Sequence, residues 1–171
     1  CKAGEFSEQF TGDYSRYGIV LQGPVLCDDD FTLTTLKIYR RYFPGVCLIL
    51  STWNSENKKF IEEAEKIGVK CVLNKFPSER GAGNLNCQIV SSKAGVEAAR
   101  NYGCTYIAKT RTDQRFSHPQ WLDYVKSLLD AFPVGGEKQK ERIVFIESNG
   151  SYKYIAFHVC DFFAFGRADD I

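Results

Sequence analysis

Tyr106-Ile107-Ala108-Lys109-Thr110-Arg111-Thr112-Asp113-Gln114-Arg115 is the stretch from which the fold can be read. It starts as a strand, because aromatic and β-branched residues suit a pleated, half-buried surface. It then changes abruptly to Lys, Arg, Asp and Arg, with no Gly or Pro to mark a plain turn. Cations and a carboxylate at the end of a buried strand are costly unless they face a ligand-filled crevice. Open α/β sheets place such crevices at the carboxyl ends of their strands. Side chains alternate along a strand, so Lys109, Arg111, Asp113 and Arg115 are expected on one side. In that arrangement Asp113 meets a metal ion and the cations face phosphate. An ion pair between Asp113 and Arg111 is the plain alternative.

The rest of the chain supplies a sheet for this strand. Ile19-Val20-Leu21 is a short apolar run closed by Gln22-Gly23-Pro24. Asp28-Asp29-Asp30 offers caps and negative charge to a helix that carries Leu33, Leu36, Tyr39 and Phe43 and stops at Pro44-Gly45. The run over 46–50 is apolar on both faces, as a central parallel strand should be, and ends in Ser51-Thr52-Trp53. Phe60, Ile61, Ala64 and Ile67 predict a second helix, and 69–73 a third strand. A Gly- and Asn-containing loop over 78–86 leads to a helix with Ile89, Val90, Ala94 and Ala98; another is expected over 118–132. Strands over 143–146, 154–157 and 162–165 follow, forming a smaller β element beside the main sheet. The expected fold class is α/β, a mostly parallel central sheet with helices on both faces.

Composition narrows the function. At 171 residues, with 44% hydrophobic and 25% charged residues, the chain suits one globular domain. A net charge of +1 argues against a nucleic-acid footprint, so any anion must be bound by a local cluster. None of the seven cysteines forms a Cys-x-x-Cys pair, which argues against structural zinc and suits a reducing compartment. No apolar stretch is long enough to span a bilayer. The chain lacks Met and begins at Cys1, and is read as part of a longer protein.

Other strand ends and loops add candidates. Gly23 lets a ligand approach the backbone beside Pro24, and Gln22 can bond a base or ribose; the alternative is an ordinary Gly-Pro turn. Trp53, next to Thr52, can stack on a base or sugar, or cap the core. The literal Asp-x-Asp in Asp28-Asp29-Asp30 is set aside as a metal site in favour of helix capping. Gly81-Ala82-Gly83-Asn84-Leu85-Asn86 is a poor dinucleotide fingerprint but a loop feeding a helix N-terminus, where N–H groups hold phosphate. Asn86 and Gln88 lie there, whereas Ser91 and Gly95 read as close packing. His158 reads as a core histidine. Asp161, among aromatics, can serve as a general base or as a cap.

Taken jointly, these segments resemble the WavE lipopolysaccharide-synthesis family of glycosyltransferase-like proteins. The matching pieces are Ile19 to Val25, the helix from Thr34 to Pro44, and Leu50-Ser51-Thr52-Trp53. Asn84-Leu85-Asn86-Cys87-Gln88 follows with Ser91, Ser92 and Gly95, then Lys109-Thr110-Arg111-Thr112-Asp113, then Asp161-Phe162-Phe163-Ala164-Phe165-Gly166. The resemblance implies a single Rossmann-like GT-A nucleotide-sugar-binding domain, with 1–16 as an extension, 17–132 as the nucleotide-binding part and 133–171 as the acceptor side. It implies a nucleotide-sugar donor contacted by Gln22, Gly23, Pro24, Thr52, Trp53, Asn86 and Gln88, with Lys109 and Arg111 at its diphosphate. Asp113 would hold Mg²⁺ or Mn²⁺, and Asp161 would be the catalytic base. Arg111 stands where the first carboxylate of Asp-x-Asp is expected, and can itself neutralise the diphosphate. The acceptor implied is a glycan or lipid-linked saccharide, met in the cytoplasm or at the inner face of the membrane by peripheral association. Two rivals are a non-catalytic sugar-nucleotide or glycan-binding protein and a Rossmann-type dehydrogenase or methyltransferase. The latter needs a Gly-rich turn after Leu21 and an acidic residue ending the second strand, and the chain supplies neither.

Overall fold

In the computed structural model, which describes residues 12–136, 138–146, 154 and 160–171, the apolar runs form one six-stranded sheet. β1 (Tyr17–Gln22), β2 (Cys47–Trp53), β3 (Lys70–Asn74) and β4 (Tyr106–Arg111) are parallel and lie in the order β3-β2-β1-β4. β6 (Ala164–Arg167) pairs antiparallel with β4, and β5 (Val144–Phe145) antiparallel with β6. The small C-terminal β element is therefore continuous with the main sheet as its antiparallel edge. The strand expected over 154–157 and His158 fall outside the described residues, apart from Tyr154.

Helices cover both faces. α1 (Phe31–Tyr42), α2 (Lys58–Lys66) and α4 (Trp121–Ala131) pack on one, where Leu36, Ile61 and Trp121 join Ile19, Leu21, Leu48 and Leu50 in a single buried cluster. α3 (Leu85–Asn101) covers the other, its Val96 and Ala99 meeting Val20, Ile49 and Ile107. Successive strand residues thus alternate between two cores, which is why these strands read as unbroken apolar runs. No helix among the described residues is long and apolar enough to cross a membrane.

Two boundaries differ from expectation for local reasons. β2 continues through Ser51-Thr52-Trp53 because its polar side chains find buried partners. Ser51 Oγ donates to Ser91 O at 2.7 Å and Thr52 Oγ1 donates to Glu56 Oε1 at 3.1 Å. Asp30 precedes α1 in a left-handed conformation with no side-chain cap hydrogen bond, so the acidic run contributes charge near the helix start and no cap. Thr32 fastens that end instead: its hydroxyl accepts from Leu26 N at 2.9 Å and donates to Thr112 O at 3.0 Å.

The chain order positions the site. From β1 the chain moves outward to β2 and β3, then returns through α3 to β4 on the other side of β1. Strand order reverses between β1 and β4, and a crevice opens outside their carboxyl ends. α3 reaches the sheet closely because Gly95 has no side chain: a Cβ there would lie 2.4 Å from Val20 Cγ1 and 3.0 Å from Ser51 Cβ.

Candidate functional site

A cavity of about 590 Å³ lies at that reversal, within the size range of small-molecule sites. The ends of β1, β2 and β4 form its floor through Gln22, Trp53 and Arg111, and Gln88 and Ser91 of α3 form a wall. Gly23 continues β1 with φ of 115°, a conformation that favours glycine, and its N–H donates to Ser51 O at 3.1 Å. The ends of β1 and β4 are tied together beyond their ladder. Thr112 N donates to Gln22 O at 3.1 Å and Thr112 Oγ1 donates to Pro24 O at 2.5 Å.

Beneath the floor runs a buried polar network. Gln22 Oε1 accepts from Ser91 Oγ at 2.7 Å, and Asn74 Nδ2 donates to Ser51 Oγ at 3.0 Å and to Thr52 O at 2.8 Å. With the Ser51 bond to Ser91 O, it links three strand ends to α3. A network satisfied in this way fixes side-chain positions, since each buried polar group would pay a desolvation penalty elsewhere.

Trp53 is 4% exposed and stacks on Phe76, with ring centroids 4.1 Å apart and planes at 15°. The Arg80 guanidinium lies 5.2 Å from the Phe76 ring, and all three residues line the cavity. Glu56 does too; its Oε1 accepts from Val25 N at 3.2 Å and from Thr52 Oγ1.

Arg111 and Asp113 form a two-pronged ion pair, Nε to Oδ1 at 2.9 Å and Nη2 to Oδ2 at 2.7 Å. These hydrogen bonds hold the Asp113 carboxyl below its ordinary value and raise Arg111 above its own. Arg111 Nη1 also lies 3.8 Å from Asp161 Oδ2, and its guanidinium sits 5.1 Å from the Phe162 ring. A cation therefore occupies the space between the two carboxylates. Among the described residues, no group of three or more His, Cys, Asp or Glu could hold an ion.

The structure gathers Gln22, Gly23, Pro24, Trp53, Gln88, Arg111 and Asp113 around this cavity. Thr52, Asn86, Lys109 and Asp161 are not on its walls. Thr52 is buried beneath it, and Asn86 turns back to donate to Glu79 O at 3.0 Å. Lys109 is buried, its ammonium donating to Asp161 O, and burial lowers its pKa. The expectation that Lys109, Arg111, Asp113 and Arg115 share one side fails, because β4 ends at Arg111 and a turn follows. Arg115 packs instead on α1, donating to Thr35 Oγ1 at 2.8 Å and Phe31 O at 2.9 Å. Phe76, Arg80 and Glu56 went unnoticed in the sequence, where Thr112 stood only inside the 109–113 motif. Phe76 was within reach of strand-end reasoning, since it follows β3 as Trp53 ends β2.

A family model described as WavE lipopolysaccharide synthesis matches residues 17–171. No curated protein and no solved structure matches the chain. The match spans every strand and helix described above, and the chain belongs to the WavE lipopolysaccharide synthesis family.

Proposed function

We propose that this WavE-family chain is a glycosyltransferase that moves a sugar from a nucleotide-sugar donor to a saccharide acceptor, on a GT-A-like domain. Family membership implies saccharide substrates. The observation that carries the finer reading is the pairing of an aromatic stack with an arginine in one cavity at the strand-order reversal. Phe76, 43% exposed and backed by Trp53, offers an aromatic surface for a base or sugar ring. The Arg111 guanidinium, whose Nε and Nη2 already hold Asp113, offers positive charge and its remaining N–H groups to phosphate. Gln22, held by Ser91, bonds the base or ribose, and Gly23 allows close backbone approach.

In this reading the acceptor oxygen attacks the anomeric carbon while its proton passes to the Asp161 carboxylate. The anomeric C–O bond to the diphosphate breaks, and its electron pair leaves with the nucleoside diphosphate. Arg111 stabilises the charge that develops there, the electrostatic contribution that dominates many such transfers. Lys109 holds the Asp161 backbone, and so positions the base rather than the phosphate. A single displacement inverts the anomeric centre. A Mg²⁺ or Mn²⁺ ion on Asp113 does not fit the arrangement as it stands, because Arg111 takes both carboxylate oxygens.

The test is a thermal-shift panel of UDP-, GDP-, CMP- and dTDP-sugars, each with Mn²⁺ and with EDTA. One donor should raise the melting temperature saturably. A flat response to all donors would remove the proposal. Stabilisation without turnover by any saccharide acceptor would favour the binding-protein alternative.

A further inference from the structure

A second cavity, of about 520 Å³, opens beside α3 and the antiparallel edge of the sheet. Ile89, Ser92 and Val96 of α3 line it, with Phe145 of β5, Ala164 at the start of β6 and Phe163 just before it. Lys109 and Asp161 line it as well. Arg111 borders the first cavity and not the second, whereas Asp161 borders the second and not the first. The two side chains approach to 3.8 Å, so this ion pair is where the cavities meet.

Asp161 Oδ2 is buried and receives no hydrogen bond among the described residues. At 3.8 Å the guanidinium is too distant to donate one. A buried acceptor without a donor carries a desolvation penalty that the ion pair offsets only in part, and a ligand hydroxyl would relieve the rest. The Asp161 backbone is also held in place: Lys109, only 8% exposed, donates to its carbonyl. Around this polar point the walls are mainly apolar, and Ile89 is 53% exposed at their rim. A hydroxyl-bearing head joined to an apolar portion satisfies both halves; a free sugar satisfies only one.

We propose that this second cavity is the acceptor site, taking an amphipathic acceptor whose reacting hydroxyl meets Asp161 and whose apolar portion lies along Ile89, Val96 and Phe145. The proposal rests on the transfer reading of the first cavity. It separates the two substrates across the Arg111–Asp161 pair, with donor phosphate on the arginine side and acceptor oxygen on the carboxylate side.

The experiment titrates the chain with n-octyl β-D-glucoside below its micelle concentration, with glucose, and separately with UDP, GDP and dTDP, by ligand-observed NMR. Octyl glucoside should bind saturably and glucose at least about tenfold more weakly. Ile89→Glu and Ser92→Trp, outside the reacting groups, should each weaken octyl glucoside at least about tenfold. Both variants should keep the wild-type affinity for whichever nucleoside diphosphate binds, which also confirms that they fold. No saturable binding to the intact chain, equal binding of glucose, or indifference to both variants overturns the proposal. Loss of all nucleoside diphosphate binding with octyl glucoside unchanged overturns the transfer reading and the acceptor role, leaving a site for amphiphiles.

Discussion

On the face covered by α1, α2 and α4 the sheet meets a continuous aromatic layer; on the α3 face it meets a single helix, a polar network and two cavities. Phe43 and Phe116 pack against Trp121 with centroids 5.4 and 4.9 Å away, and Phe163 joins them at 5.8 Å. Their interlocking rings make this face the larger source of apolar burial. The opposite face keeps Lys109, Gln22, Ser51, Ser91 and Asn74 buried or nearly so, and Gly95 brings α3 down among them. Stability concentrated on one face lets the other retain polar groups and open space, which binding and catalysis require.

The first way to break this division is Trp121→Ala. It should cost about 3–5 kcal/mol of stability, read from urea unfolding, with nucleotide affinity of the remaining folded protein unchanged. An equal loss of affinity would show that the faces are not separable. Arg111→Ala should do the reverse, lowering transfer by roughly 100- to 1000-fold in steady-state assays while the urea midpoint stays near wild type. EDTA should leave the wild-type rate intact; a rate that collapses with EDTA and returns with Mn²⁺ restores Asp113 as a metal ligand.

Gly95→Ala sharpens the comparison because it joins both properties on one face. The added methyl meets Val20 and Ser51, so a loss of about 1–3 kcal/mol is expected. Nucleotide affinity should fall as well, since Ser91 holds Gln22 from the same helix. A stability loss with affinity preserved would detach the network from the site.

The smallest expected effect comes from pH. The folded pKa of Asp113 lies below its ordinary 3.8 through its hydrogen bonds to Arg111. Its contribution is therefore complete above that ordinary value and is lost as pH falls through the lower folded value. Partial exposure of the pair keeps the contribution small. Urea midpoints of wild type and Asp113→Asn should differ above pH ~4 and converge in stronger acid; a constant difference removes the assignment.

The sheet was legible because Ile19-Val20-Leu21 and the run over 46–50 are buried on both faces, and such strands need no alternation to be recognised. Much of the first cavity was legible for a related reason: Gln22, Trp53 and Arg111 end apolar strands, and ligand-facing groups collect where strands end. Arg115 was misread because the period of two holds only while the strand lasts, and β4 stops at Arg111. Asn86 was misplaced because its side chain, in the first turn of α3, turns back to the preceding loop and donates to Glu79 O. Phe76 and Arg80 were missed because no period governs the loop that carries them.

What the residues alone determined is local. Apolar runs, helical spacing and the turns between them specify the strand–helix order, and the charged end of the 106–115 run marks where a ligand could be met. What the tertiary structure decided is which distant groups meet. Strand order put the ends of β1, β2 and β4 around one cavity. Pairing of β6 with β4 brought Asp161 to Arg111, so that the carboxylate and the guanidinium stand on opposite sides of one boundary. Neither outcome is written in a local period, because both depend on contacts between segments far apart in the chain.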